Sequence, residues 1–293
     1  MRDEHSNPST ATLPNLSGLA WIEGDRFIGC QDAKVAGGKS KPRYASLHLA
    51  TNSRGVTYRD AGFTFKGISP NDLESIAKVP GENTLLLCES GNSQKNPAIQ
   101  NIFKARITDQ GIEIVDVVKW PVLVHNVEAT AVVRVGEKYI FIFAERASNQ
   151  PSTQLSWLKF NPVDMSFSGK PQHVPFTSPD PDRYNRVIVG LDVDSDGIIY
   201  SVSSFDAEEA GFPNPDKGPF AGGIYAIGTV TTTDGEPMIQ LFEKPQPLAT
   251  VDGHKTESIA VRETNDGKEI FYGTDDENKG GVIRQLQHRS PNK

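Results

Sequence analysis

The sequence predicts an all-β fold, a five-bladed β-propeller, and three observations carry that prediction. An apolar strand, a short polar turn and a second apolar strand ending in an acid return five times along the chain. Two further strand-like runs lie between successive copies, giving four strands per repeat. The 26 glycines and 20 prolines supply turns throughout, and no long amphipathic helical pattern is present.

The five hairpins, in order, begin with LSGLAWIEGDRFIGCQD (16–32) and LESIAKVPGENTLLLCE (73–89). VEATAVVRVGEKYIFIFAE (127–145), VIVGLDVDSDGIIYSVSSFD (187–206) and TESIAVRETNDGKEIFYGTDD (256–276) follow, with starts 54 to 69 residues apart. The second strands are rich in β-branched and aromatic residues, as in YIFIFAE, and read as buried on both faces. The runs between the hairpins include YASLHLA with VTYRDAGFTF, and IFKARIT with IEIVDVVKW. One domain over 1–293 is therefore expected, with blades at 16–66, 73–121, 127–176, 187–246 and 256–288. After the last hairpin only GVIRQLQ remains, so STATL (9–13) is expected to add the missing outer strand and close the ring. A pair of β-sandwich domains gives no reason for a motif to return at this period.

Composition excludes several classes of partner. A net charge of −7 argues against nucleic acid, whose binding rests on clustered Lys and Arg. No run of 18 apolar residues is present, so no membrane-spanning helix is expected. The polar start MRDEHSNPSTATLPN shows no signal peptide, as either a cytoplasmic chain or an exported one without its leader would read. Cys30 and Cys88, inside FIGC and LLLC, read as two buried thiols and not a disulfide framework.

The propeller geometry makes the recurring acids a site. The first strand of each blade lines the channel, and its start shares one face with the end of the second strand. Glu74, Glu128 and Glu257 are thus expected at the channel mouth, with Ser17 in the first blade and only Val189 and Gly190 in the fourth. Asp32, Glu89, Glu145, Asp206 and Asp275 form a wider ring. Converging carboxylates raise one another's pKa or recruit a cation, and an all-oxygen set suits Ca2+. They can equally accept backbone N–H groups and hold the blades together. His125 and His254 each precede a ring glutamate by three residues, as HNVE and HKTE, and with Glu145 are the candidates for activating water. Arg146, Arg183 and Arg186 are the cations placed to meet an anionic substrate group or to pair with the acids; Asp32, Glu89 and Asp275 complete the substrate-binding set.

Two motifs fall away on context. AKVAGGKS (33–40) lacks the first glycine of a P-loop and runs into Pro42 where a helix should start. DVDSDG (192–197) matches half an EF-hand loop but joins two strands, and a turn explains it. The Pro/Gly-rich AEEAGFPNPDKGPFAGG (207–223) is expected as a lid or loop on the acid-bearing face.

The segments NDLESIAKVPGENTLLLCESG and TESIAVRETNDGKEIFYGTDDENKGG resemble the phytase-like and esterase-like bacterial β-propellers, where D-L-E-G-[IL]-A opens a blade. Calcium-activated nucleotidases look similar at a coarser level. Ser75, Ala129 and Ser258 depart from the glycine of that motif. The resemblance implies an acid-lined, calcium-binding face at Glu74, Glu128 and Glu257, and hydrolysis of a small phosphoester or other ester. The residues alone leave two other readings: a non-catalytic propeller that binds a small molecule or protein, and a lyase, isomerase or cyclase using a His–carboxylate pair.

Overall fold

A computed structural model describes residues 15–32, 44–49, 56–91 and 100–286. Its strands form five antiparallel sheets, each built from strands consecutive in the chain. The first blade holds β1 (Gly18–Glu23), β2 (Arg26–Cys30), β3 (Tyr44–Leu49) and β4 (Val56–Ala61). The second holds β5 (Leu73–Lys78), β6 (Thr84–Glu89), β7 (Asn101–Thr108) and β8 (Gly111–Lys119). The third holds β9 (Val127–Val135), β10 (Lys138–Glu145), β11 (Ser152–Asn161) and β12 (Ser166–Thr177). In the fourth are β13 (Arg186–Val193), β14 (Ile198–Phe205), β15 (Ala221–Thr233) and β16 (Glu236–Asp252). The fifth has β17 (Thr256–Thr264), β18 (Gly267–Thr274) and β19 (Ile283–Gln285). The innermost strands β1, β5, β9, β13 and β17 touch in a closed cycle, which makes the chain a five-bladed propeller, as expected.

The core lies between blades. Along β10, Phe141 and Phe143 pack toward the second blade, while Ile140, Ile142 and Ala144 pack toward the fourth. The side-chain period of two thus divides one apolar strand between two interfaces, which is why the second strands read as unbroken apolar runs. Each inner hairpin turns on a glycine in the left-handed region, such as Gly81 (φ +77°) and Gly136 (φ +60°).

The ring closes between the first and fifth blades. Phe27 on β2 and Phe271 on β18 bring their ring centroids to 4.8 Å, amid Leu16, Leu19, Ala260 and Ile283. The Leu16 N–H donates to the Thr274 carbonyl at 3.0 Å, and the Ser258 hydroxyl to the Leu16 carbonyl at 3.1 Å. The strand expected at 9–13, like the P-loop-like segment at 33–40, lies outside the described residues. Cys30 and Cys88 are buried free thiols.

Candidate active site at the acid-bearing mouth

A repeated irregularity sets the inner glutamates apart from their strands. In β5 the register passes from Leu73↔Glu89 to Ser75↔Cys88, in β9 from Val127↔Glu145 to Ala129↔Ala144, and in β17 from Thr256↔Thr274 to Ser258↔Gly273. Glu74, Glu128 and Glu257 are the extra residues, so a β-bulge re-aims each carboxylate at the start of its inner strand. All three are buried. The chain reaches the first of these bulges through Asp72, which holds φ +62° just before β5.

The fourth blade does not leave a gap. Arg186 is the first residue of β13 and is buried. Its Nη1 lies 3.0 Å from Glu257 Oε1, its Nη2 2.7 Å from Asp206 Oδ2, and its Nε 3.4 Å from Glu209 Oε1. Arg146 bridges Glu128 (3.0 Å) and Glu209 (3.1 Å), and the Asn126 amide donates to Glu128 at 2.9 Å. Lys255 reaches Glu257 at 3.1 Å, Glu277 at 2.6 Å and Asp206 at 3.5 Å. The result is a buried network of alternating charge spanning the third to fifth blades.

Protonation in this network follows burial and pairing. Burial raises the Glu257 carboxyl above the usual carboxylate range, against the opposing pull of Lys255 and Arg186. Burial also raises Asp275, reinforced by Glu257. Asp206 goes the other way: burial would raise it, but Arg186, the Glu209 N–H and Lys255 together hold it below its ordinary value. Burial acts to lower Arg186, yet Glu128, Glu257 and Asp206 hold it firmly charged.

The outer acids have a recurring structural task. Glu89 accepts the Asn71 N–H at 2.9 Å, Glu145 the His125 N–H at 2.8 Å, and Asp276 the Lys255 N–H at 2.8 Å. Each ties the end of a second strand to the chain entering the first strand of the same blade. Glu89 also takes the backbone N–H and side-chain amide of Asn101, at 2.8 and 2.7 Å, while burial pushes its carboxyl up to about 7. In the first blade the polarity reverses, and the Asp32 N–H donates to the Ser17 hydroxyl at 3.1 Å. Asp275 instead caps the following turn by accepting the Glu277 N–H at 3.0 Å.

The expected catalytic set is only partly brought together. His254 directs Nδ1 to Asp276 at 2.6 Å, and lines a groove between the fourth and fifth blades with Thr250, Asp252 and Tyr272. His125 is exposed, and what Glu145 receives from it is the backbone N–H. Neither imidazole bonds a ring glutamate. Arg183 is exposed and pairs with Asp252 at 2.6 Å, away from the ring. The three glutamates expected to share Ca2+ are not gathered at one point. Among the described residues, the three acids whose ligand oxygens lie within 4.8 Å of one another are Asp32, Asp72 and Glu74, while Glu128 and Glu257 already face cations of the chain.

Lys255 and Glu209 complete the site without having been expected there. Lys255 stands inside HKTE, where the histidine drew attention instead, and Glu209 belongs to the 207–223 segment. That segment is fastened to the ring. Glu209 accepts the Ser148 hydroxyl at 2.8 Å and meets both Arg146 and Arg186, and Phe212 packs edge-on against Phe205 at 6.0 Å. The half EF-hand is a turn: Asp194 accepts the N–H groups of Asp196 and Ile198, and Gly197 holds φ +82°.

Neither a protein-family model nor a curated protein matches this sequence. Solved structures do match its fold. An endo-1,4-β-xylanase from Bacteroides thetaiotaomicron has a TM-score of 0.56 at 14% identity, with 94% of this chain and 90% of that chain covered. An endo-arabinase from the same organism gives 0.55 at 10%, covering 96% of both chains. An α-L-arabinofuranosidase from Lactobacillus brevis gives 0.53 at 11%, covering 93% and 90%. At these identities the likeness establishes the propeller fold alone. It also corrects the resemblance to phytase-like and esterase-like propellers: the structures named here, which follow nearly the whole chain, are an arabinase, a xylanase and an arabinofuranosidase. In this chain the short D-L-E motif that suggested the other families is where a blade opens, with a bulged glutamate and a backbone staple. Among the described residues, no helix is long and apolar enough to cross a membrane.

Proposed function

We propose that the protein is a hydrolase acting on glycosides at the acid-bearing mouth of the channel. One observation carries the reading: on a fold shared with glycoside-acting enzymes, bulges aim buried carboxylates from different blades at one mouth and their environments differ. Glycosidic bonds are cleaved by a carboxylic acid that protonates the leaving oxygen and a carboxylate that activates water or attacks the sugar. Glu257, raised by burial, is the acid, and Glu128, paired with Arg146 and Asn126, is the carboxylate. Arg186 and Lys255 orient Glu257 through the contacts described above and offer donors to sugar hydroxyls. Water activation is thereby assigned to a carboxylate and not to His125 or His254.

The test is turnover of 4-nitrophenyl pentosides and hexosides in both anomeric forms, together with reducing-end release from arabinan and xylan. Hydrolysis of at least one substrate is expected, falling at least about 10³-fold in Glu128→Gln and in Glu257→Gln while both variants stay folded. Turnover of none of them, or turnover that survives both substitutions, overturns the reading.

A further inference from the structure

A cavity lies at the other mouth of the channel. It has a volume of about 560 Å³ and is formed where all five inner strands end. Its walls mix apolar side chains, among them Leu19, Ile76, Val132, Val230 and Val261, with charged ones in similar measure. A narrow waist separates it from the acid-bearing mouth. There Ser75, Thr130, Gly190 and Ser258 crowd a space of about 10 Å³, no more than a water needs. The two mouths therefore do not share a ligand.

The charges lining this cavity are committed, with one exception. The Lys78 ammonium donates to the Ile22 carbonyl at 2.5 Å and sits 5.0 Å over the Trp21 ring. Arg134 holds the Gly136 carbonyl and Glu137, Glu263 accepts both the N–H and hydroxyl of Ser195, and Asp194 pairs with Lys268 at 2.7 Å. Asp192 lines the same cavity and accepts only the backbone N–H groups of Val193 and Val261, at 2.8 and 2.7 Å. Among the described residues no cationic side chain lies within 4 Å of it. Lys78 lines the same cavity and feels Asp192 without pairing with it, and a buried carboxylate that has no direct ion-pair partner attracts a cation more strongly than one in water. The volume matches that of small-molecule sites.

We infer that the far mouth of the channel is a second binding site, taking an organic amine whose apolar body fills the cavity and whose ammonium meets Asp192. Burial pushes the Asp192 carboxyl up to about 7, so the site holds its charge on the alkaline side of neutrality. The titratable groups facing it are Lys78 on β5, Arg134 on β9, Asp194 and Asp196 after β13, Glu263 on β17 and Lys268 on β18. Burial lowers Lys78, so any loss of its charge at rising pH also favours a cationic ligand.

Calorimetric titration of phenethylamine into the full chain tests this, with 2-phenylethanol as the neutral isostere. The amine is expected to bind one to one at pH 8, at least about ten-fold more tightly than the alcohol. Wild-type affinity should fall about ten-fold between pH 8 and pH 6 as Asp192 takes a proton, an arm that needs no variant. Asp192→Asn keeps an acceptor oxygen for the backbone and should lose the preference for amine over alcohol. Glu128→Gln should bind the amine as wild type does, whether or not the other mouth cleaves glycosides. No binding of the amine, equal binding of both probes, pH-independent affinity, or an unchanged preference in a folded Asp192→Asn each overturns the inference.

Discussion

Replacing Arg186 by glutamine removes a guanidinium that, alone among the described residues, faces Glu257, Asp206 and Glu209 together. Breaking a buried pair by deleting one partner costs about 3–5 kcal/mol, because the other charge stays desolvated. Lys255 remains 3.1 Å from Glu257 and 3.5 Å from Asp206 and can share its charge between them, which places this case at the lower end, about 3 kcal/mol. A chain of this size has a melting entropy of roughly 0.6 kcal/mol/K, so the midpoint should fall by about 5 °C at pH 7. The pH dependence gives the sharper test. In the wild type Asp206 sits below its ordinary value of 3.8, so its contribution is present above that pH and lost as pH falls through the folded value. Without Arg186, burial dominates and Asp206 rises, joining Glu257; both then cost most at neutral pH and least once protonated. The difference between variant and wild type should therefore shrink from pH 7 to about pH 4. Calorimetric melting at both pH values measures it. A midpoint within about 1 °C of wild type at pH 7, or a deficit that does not change with pH, would refute the claim that Arg186 neutralises this network.

Three further outcomes follow from the same geometry. Glu89→Ala strands two buried donors at Asn101 and a part-buried one at Asn71, and should cost about 2–4 kcal/mol in urea unfolding, whereas Glu145→Ala frees one exposed N–H and should cost under about 1 kcal/mol. Equal costs would show that the staples do not work through burial. Gly190→Ala sets a Cβ 2.9 Å from the Glu257 carbonyl oxygen and 3.2 Å from Ser258 Cα, both backbone, and should cost about 1–3 kcal/mol by the same method; an unchanged urea midpoint would mean the inner strands part easily. Lys255→Gln removes a charge that lowers the Glu257 carboxyl, so the alkaline limb of the glycoside pH–rate profile should move to higher pH; a limb that stays put would take Glu257 out of the acid role.

The fold was legible because a propeller repeats its blade, and each blade announces itself with a hairpin whose second strand is apolar on both faces. Phe141 and Ile142 face opposite interfaces and yet read alike in sequence. The mouth was legible only in blades that obey the repeat. In the fourth, the strand pairing slips between Arg186 and Gly190, so aligning VIVG with the other inner strands left Arg186 in the preceding loop. Lys255 was hidden beside a histidine whose spacing looked meaningful, although the imidazole turns to Asp276. The far cavity had no sequence signature, since it joins the ends of strands from all five blades.

Recurrence and exception carry different information here. A residue type that returns in blade after blade answers a need every blade has, and the outer acids do so: Glu89, Glu145 and Asp276 each close their own blade at the start of its first strand. The inner ring breaks the pattern, with Ser17 in the first blade, glutamates in the second, third and fifth, and Arg186 in the fourth. Five identical acids would present a five-fold symmetric field suited to a single central ion. Three acids, a hydroxyl and a guanidinium present a field with a direction, and put Glu257 and Glu128 in unlike surroundings. Asymmetric chemistry on an asymmetric substrate needs that difference, and the fold alone does not supply it.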